Sequence, residues 1–142
     1  MSKIDSFVGN IHELVMRNDN FREVIFTGKK SQLVVMSIPP ASEVGEEVHA
    51  GVEQTLYIIS GVCDVVLDHK RTQISGGDVV VVTPGARHNF INTGTETVKI
   101  ITAYSPANHI DGRIHVTLED ALNDTEDESF SDTVNEANKD NS

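Results

Sequence analysis

Short apolar segments, each closed by a turn signal, follow one another through most of the chain and set the strongest limit on its fold. Two lie at residues 20–28 and 31–40, and six more lie between residues 55 and 105. Segments of this kind, with turns at intervals of roughly eight to twelve residues, are typical of a β-sandwich or barrel. We see no segment of helical period between them, which argues against an alternating α/β fold.

The length and composition fit one all-β domain. A chain of 142 residues is long enough for one ordinary core. Hydrophobic residues make up 38% and aromatic residues 5% of the chain, with no Trp. The core must therefore be built mainly from Val, Ile and Leu, a mixture that favours strands.

The two ends differ from the middle. Residues 6–19 predict a short helix or an initial strand, so we assign residues 1–20 to an N-terminal arm and residues 21–117 to the barrel. The run Thr117-Leu118-Glu119-Asp120 resembles a capping box that starts one short helix. From Asn123 onward the low apolar content and high negative charge predict disorder, so residues 118–142 form a short helix and an acidic tail.

The charge excludes two classes of partner. Of the formal net charge of -11, residues 119–142 carry -8, from nine acidic side chains and Lys139, which leaves -3 for residues 1–118. Neither part has the clustered Lys and Arg that nucleic acids or anionic membranes require. We expect a small-molecule ligand and neither of these partners.

The cysteine content and the N-terminus predict a cytoplasmic protein. Cys63 is the only cysteine, so no intrachain disulfide can form, and its alternating apolar surroundings indicate a small buried hydrophobe. Residues 1–19 hold no uninterrupted apolar stretch of the kind found in secretory signals. No run of eighteen apolar residues follows.

Two clusters of polar residues carry the chemistry. Glu47 and His49 are two residues apart, so on a strand they point to the same face, and Gln54 follows after room for a turn. In the second cluster, Pro84-Gly85 turns the chain and His88 lies on the strand that follows. His88, Phe90 and Asn92 share one face of that strand.

These clusters resemble the paired motifs of the cupin superfamily, GxxxxxHxHxxxxExxxxxxG and GxxxxxPxGxxHxxxN. The resemblance covers about residues 20–117 and places His49 on the second histidine position and Gln54 on the glutamate position. Glu47 then takes the first histidine position. In the second motif Gly85, His88 and Asn92 match, whereas Thr83 stands where the proline is usual.

The resemblance implies a double-stranded β-helix, or jelly-roll barrel, with one divalent metal ion as cofactor. The implied ligands are His49, His88, Gln54 and Glu47. Two imidazoles and a carboxylate suit Fe, Mn, Ni or Zn. Glutamine is a weaker oxygen ligand, but cupins that open unsaturated uronate sugars use one at this position.

Three roles remain open for Glu47. It can bind the metal, act as the catalytic proton shuttle, or be a solvated charge on its loop. Glu53 is a poorer substitute, because its strand parity is opposite to that of Gln54.

The pocket around the metal ligands has four further candidates. We expect Met36 and Phe90 to form its apolar walls. His109 and His115 lie in a segment that could fold over the barrel mouth, contact a second subunit, or form an ordered surface arm.

The predicted function is metal-assisted isomerisation or tautomerisation of a small oxygen-rich metabolite, such as a sugar or keto acid. A non-haem Fe(II) dioxygenase is the second hypothesis, because the same ligands suit iron and O₂. A binding or sensing module without catalysis is the third. A homodimer is expected, because a jelly roll has sheet edges to protect.

Overall fold

A computed structural model describes residues 5–139. Its ten strands form two packed sheets, and its helices lie at the two ends of the described chain. The elements in order are α1 (Ile11–Met16), β1 (Arg22–Thr27), β2 (Gln32–Ile38), β3 (Glu47–Val48), β4 (Glu53–Ser60), β5 (Val62–Leu67), β6 (Lys70–Ser75), β7 (Val79–Val82), β8 (Arg87–Ile91), β9 (Val98–Ser105), β10 (Ile114–His115), α2 (Leu118–Asn123) and α3 (Thr125–Asn138).

The sheets have the crossed connectivity of a jelly roll. One sheet has six strands in the order β10-β1-β2-β9-β4-β7, and the other has four in the order β3-β8-β5-β6. All their pairings are antiparallel. The predicted all-β double-stranded fold is therefore confirmed.

One apolar cluster fills the space between the sheets. Its members are supplied by alternate positions of strands from both sheets, as the period of a half-buried strand requires. Cys63 belongs to this cluster, and burial raises the pKa of its thiol to about 11. At neutral pH it is therefore a protonated, apolar side chain, as predicted.

The N-terminal arm packs on the outside of the larger sheet. Asn10 caps α1 by accepting a hydrogen bond from the Glu13 amide. Val15 on this helix is buried against Val35 and Ile101. The first four residues lie outside the described part of the chain.

The C-terminal segment corrects one prediction. Thr117 and Asp120 form the expected capping box at the start of α2. The disorder predicted from Asn123 onward is wrong for the described residues, because α3 is a 14-residue helix over Thr125–Asn138, and residues 140–142 lie outside the described part of the chain. Its N-cap is Asp124, and three acidic residues in its first turn complement the helix dipole.

Helix α3 is held on the barrel by polar contacts. Asp127 is buried and contacts His109, and the Asn135 side chain accepts a hydrogen bond from the Gly51 amide. Asn135 also donates to the side-chain oxygen of Asn108. These partners come from distant parts of the sequence, so composition alone could not reveal them.

Candidate metal centre

Strand pairing brings three of the four predicted metal ligands together. Glu47 on β3 lies directly opposite His88 on β8, and His49 follows two residues after Glu47. The His49 Nε2 atom is 3.1 Å from Glu47 Oε2, and the rings of His49 and His88 have centroids 5.0 Å apart. One ligand atom from each of these three residues lies within 4.8 Å of the others.

Both histidines have a buried ring nitrogen that can bind a cation. The Nδ1 of His88 lies 3.0 Å from the Ala86 carbonyl oxygen, which can only accept, so Nδ1 carries the hydrogen and Nε2 keeps its lone pair. Burial lowers the pKa of His88, which favours this neutral form. His49 Nε2 is buried without a hydrogen-bond partner among residues 5–139.

Glu47 supplies the negative charge. Burial disfavours its ionisation, but the close contact with His49 and the nearby charge of Arg22 outweigh it and lower the pKa to about 2. Glu47 is therefore a carboxylate at neutral pH. The two imidazoles and this carboxylate form a ligand set that fits a divalent ion.

Gln54 is held in one orientation. Its Nε2 donates to the Thr102 hydroxyl at 3.1 Å, and that hydroxyl donates in turn to the Thr55 carbonyl. Because the hydroxyl hydrogen is already used, the amide nitrogen of Gln54 must face Thr102. Its oxygen, the atom that can bind a metal, faces away from this hydrogen bond.

The turns next to these ligands depend on glycine. Gly61, Gly77 and Gly85 match motif glycines, and all three have a positive φ between 88° and 98°. That region favours glycine because a side chain there would be strained. Ala41 stands at the first glycine position of the first motif and also has a positive φ, 61°. Sequence reasoning missed this departure from the motif.

A cavity of about 330 Å³ opens next to the ligand cluster. The polar part of its wall is formed by Arg22, Glu47, His49, Asn108, His109 and Asp127. Exposed acidic residues of α3, Glu128 and Asp132, lie at its edge. The cavity therefore lies between the ligand cluster and the C-terminal helix.

The four predicted pocket residues have different positions. His109 lines the cavity, as expected. Met36 and Phe90 are each 1% exposed and belong to the central apolar core instead of the cavity wall. Their alternation points them inward, but the space they reach is already filled by other apolar side chains.

His115 does not line the cavity and lies instead in a second polar cluster. Its Nε2 is 2.9 Å from Asp124 Oδ2, and Asp124 also forms ion pairs with Arg113 and caps α3. Asp127, the third member of the cluster, contacts His109 and accepts a hydrogen bond from the Ile110 amide. These contacts join residues before α2 to Asp124 and Asp127, so the cluster fastens the C-terminal helices to the barrel.

Arg22 and Asp127 are among the cavity residues that sequence reasoning missed. Arg22 begins β1, where a charged side chain ordinarily indicates a solvent-facing position, yet it is 6% exposed. Asp127 lies in the segment that was predicted to be disordered. The strand alternation around Arg22 is the one signal that could have placed its side chain inside.

A two-sheet jelly roll with a histidine and carboxylate cluster at a cavity defines a cupin-type protein. The cupin domain family matches residues 34–104. The chain belongs to this family. Among the described residues, no helix is long and apolar enough to cross a membrane.

Relatives and solved structures agree with this assignment. Protein YrkC of Bacillus subtilis is 36% identical over 122 residues, which cover 82% of this chain and 66% of YrkC, just under two thirds of its length. Protein L612 of Acanthamoeba polyphaga mimivirus is 33% identical over 78% of this chain and 71% of its own. The crystal structure of BH2720 from Bacillus halodurans has a TM-score of 0.82 and 29% identity, covering 83% of this chain and 94% of that one.

Proposed function

We propose that this cupin binds one divalent metal ion and isomerises or tautomerises a small carbonyl compound, such as a sugar or keto acid. The observation that carries the proposal is the convergence of Glu47, His49 and His88, with ligand atoms within 4.8 Å of one another beside a cavity. Gln54, buried and held by Thr102, is the fourth ligand in this proposal.

When bound, a divalent ion would polarise a substrate carbonyl and make the neighbouring C–H bond more acidic. The low pKa of Glu47 favours its role as a ligand over that of a proton shuttle, because a weak base accepts a proton poorly. A proton moved during isomerisation must then be taken by another cavity residue. His109 lines the cavity with an Nε2 that has no hydrogen-bond partner among the described residues, and its pKa of about 4, lowered mainly by burial, still makes it a stronger base than Glu47.

The proposal also includes the cellular location of the protein. We place the protein in the cytoplasm, as the single buried cysteine favours a reducing compartment.

A homodimer is part of the proposal as well. β7 is the terminal strand of the six-stranded sheet, and its side chains Val79 and Val81 are exposed beside Tyr57 of β4. An exposed apolar patch on a sheet edge favours pairing with a second copy.

The test of metal binding compares full-length proteins purified without chelators. Elemental analysis is expected to find one metal ion per chain in the wild type and none in the His49→Ala/His88→Ala double variant. His12→Ala is the matched control, because His12 is exposed on α1. A wild type that contains no metal and binds none on addition overturns the proposal.

The test of the reaction follows hydrogen exchange. Incubating the metal-loaded protein with keto acids and sugars in D₂O is expected to introduce deuterium next to the carbonyl of its substrate, as seen by NMR. Substrate-dependent oxygen uptake would instead select the dioxygenase. Ligand binding with neither exchange nor oxygen uptake would select the binding module.

A further inference from the structure

Two buried nitrogen atoms beside the ligand cluster lack hydrogen-bond partners. Among residues 5–139, Arg22 Nε and His109 Nε2 are buried without a partner, and both side chains line the same cavity. Arg22 is 6% exposed and His109 is 5% exposed. A buried polar atom is costly to leave unpaired, so these two atoms indicate a ligand that the cavity is shaped to hold.

The guanidinium of Arg22 has no carboxylate at hydrogen-bonding distance among the described residues. Its ion pair with Glu47 spans 4.0 Å, and its contact with His115 Nδ1 spans 3.5 Å. It also lies over the ring of Phe21, 5.3 Å from the centroid, and interacts with the neutral side chain of Tyr104. Buried arginines are ordinarily paired at shorter range with carboxylates or phosphates, so Arg22 can still bind an anionic oxygen.

The C-terminal helix determines the role of His109. Its Nδ1 lies 2.7 Å from Asp127 Oδ2, and Asp127 is itself held by the Ile110 amide at 2.8 Å. Because the pKa of Asp127 is lowered, despite burial, by His109 and that amide, this oxygen is an acceptor. His109 therefore carries its hydrogen on Nδ1 and presents Nε2 as an acceptor.

We infer that Arg22 and His109 form a subsite for a hydroxycarboxylate, in which Arg22 binds the carboxylate and His109 Nε2 accepts a hydrogen bond from the hydroxyl. This inference rests on the proposed function and narrows its substrate class to carbonyl compounds that also carry a carboxylate and a hydroxyl. A neutral sugar would leave Arg22 without an anion, and a fully ionised phosphate has no hydroxyl hydrogen to give His109. Helix α3 is thereby a part of the binding site, through Asp127.

The test uses three probes that differ by one group: lactate, propane-1,2-diol, which lacks the carboxylate, and propanoate, which lacks the hydroxyl. NMR titrations of the full chain, metal-free and zinc-loaded, give their dissociation constants. Lactate is expected to bind about 10- to 100-fold more tightly than either other probe, as fits a hydrogen bond to a charged group. Absence of saturable lactate binding, or equal binding of lactate and the diol, overturns the inference.

Substitutions of Arg22 and His109 test which residue binds the carboxylate and which binds the hydroxyl. Arg22→Met is expected to abolish the preference for lactate over the diol, and Arg22→Lys to retain part of it. Arg87→Met is the control, because Arg87 is exposed and pairs with Glu46. His109→Phe is expected to reduce lactate binding to the level of propanoate. A folded Arg22→Met protein that keeps the preference refutes the subsite.

The Asp127→Asn variant tests whether Asp127 determines the tautomer of His109 or only packs against it. The amide can donate to His109 Nδ1, which would move the ring hydrogen to Nε2 and turn that atom into a donor. Nitrogen NMR of the imidazole is expected to show this tautomer change together with loss of the preference for lactate over propanoate. Unchanged tautomer and unchanged preference contradict the role given to Asp127.

The two proposals can fail separately. A protein that binds metal but shows no preference for lactate refutes the subsite and leaves the metal proposal intact. A protein that binds no metal but loses its lactate preference on Arg22→Met refutes the metal proposal and supports the subsite.

Discussion

Glu47 and His88 lie directly opposite each other on the antiparallel strands β3 and β8. Opposed residues of paired strands point to the same face, and His49 joins them because it is two residues from Glu47. A shift of one residue in this pairing would turn the carboxylate away from the imidazoles. The register of a two-residue strand therefore determines whether the cluster has a negative charge.

Replacing Glu47 tests this charge. Glu47→Gln keeps the shape of the side chain and removes its charge, so we expect the affinity for a divalent ion to fall at least about 10-fold. Competition with a chelating dye measures the affinity. Glu46→Gln is the control, since Glu46 is exposed and pairs with Arg87 at 3.1 Å. Equal affinity in the two variants would show that Glu47 is not a ligand.

Replacing Gln54 by the glutamate that is usual at this motif position should lower the stability of the metal-free protein and strengthen metal binding. Gln54→Glu removes the donor to Thr102 and adds a negative charge at a buried position. The free energy of unfolding of the metal-free protein should fall by about 1–3 kcal/mol, whereas metal binding should tighten.

Chemical denaturation with and without added Mn²⁺ or Zn²⁺ measures both effects of Gln54→Glu. Gln73→Glu on the exposed face of β6 is the matched control and should leave both quantities unchanged. If Gln54→Glu leaves the metal affinity unchanged, position 54 does not contact the ion.

The barrel and its ligand cluster were predictable because both depend on local pattern. Alternating apolar residues and turn glycines specify strands, and the spacing of His49, Gln54 and Gly61 specifies the first motif. The direction of Glu47 was left open, because it depends on pairing with β8. That pairing joins residues about forty positions apart, which alternation within one segment cannot show.

The C-terminal helix was not predictable either, because its order depends on contacts with residues that are distant in the sequence. Its sequence is acidic and poor in apolar residues, so its isolated propensity for order is low. It is stabilised by contacts such as Asp127 with His109 and Asn135 with Gly51. Arg22 was missed because its burial depends on what surrounds it, including Glu47 and His115.

The edge of the larger sheet gives a prediction about assembly. If β7 pairs with a second copy, Val81→Glu should shift the protein from dimer to monomer, because it buries a charge in the proposed interface. Light scattering coupled to size-exclusion chromatography measures the mass. Val116→Glu is the control, at an exposed valine outside β7. A wild type that is monomeric at all concentrations contradicts the proposed dimer.

The pair of His109 and Asp127 predicts how stability depends on pH. Burial and the charge of Arg22 outweigh the effects of Asp127 and Glu47 and lower the pKa of His109 from 6.5 to about 4. Between these values the unfolded chain binds a proton that the folded protein does not, so acidification favours unfolding. The free energy of unfolding should therefore fall by up to about 1.4 kcal/mol per pH unit from pH 6.5 towards pH 4.

Asp127 extends this loss to more acidic conditions. Its pKa is lowered in the folded protein, because the hydrogen bonds of His109 and Ile110 outweigh burial, so its stabilisation is lost as the pH falls below the ordinary range of a carboxyl group. Denaturation curves at a series of pH values for the wild type and His109→Gln test the assignment. The variant should show a shallower dependence between pH 6.5 and 4, whereas His12→Gln, at an exposed site, should match the wild type. Identical slopes in His109→Gln and the wild type would show that His109 is not the titrating group.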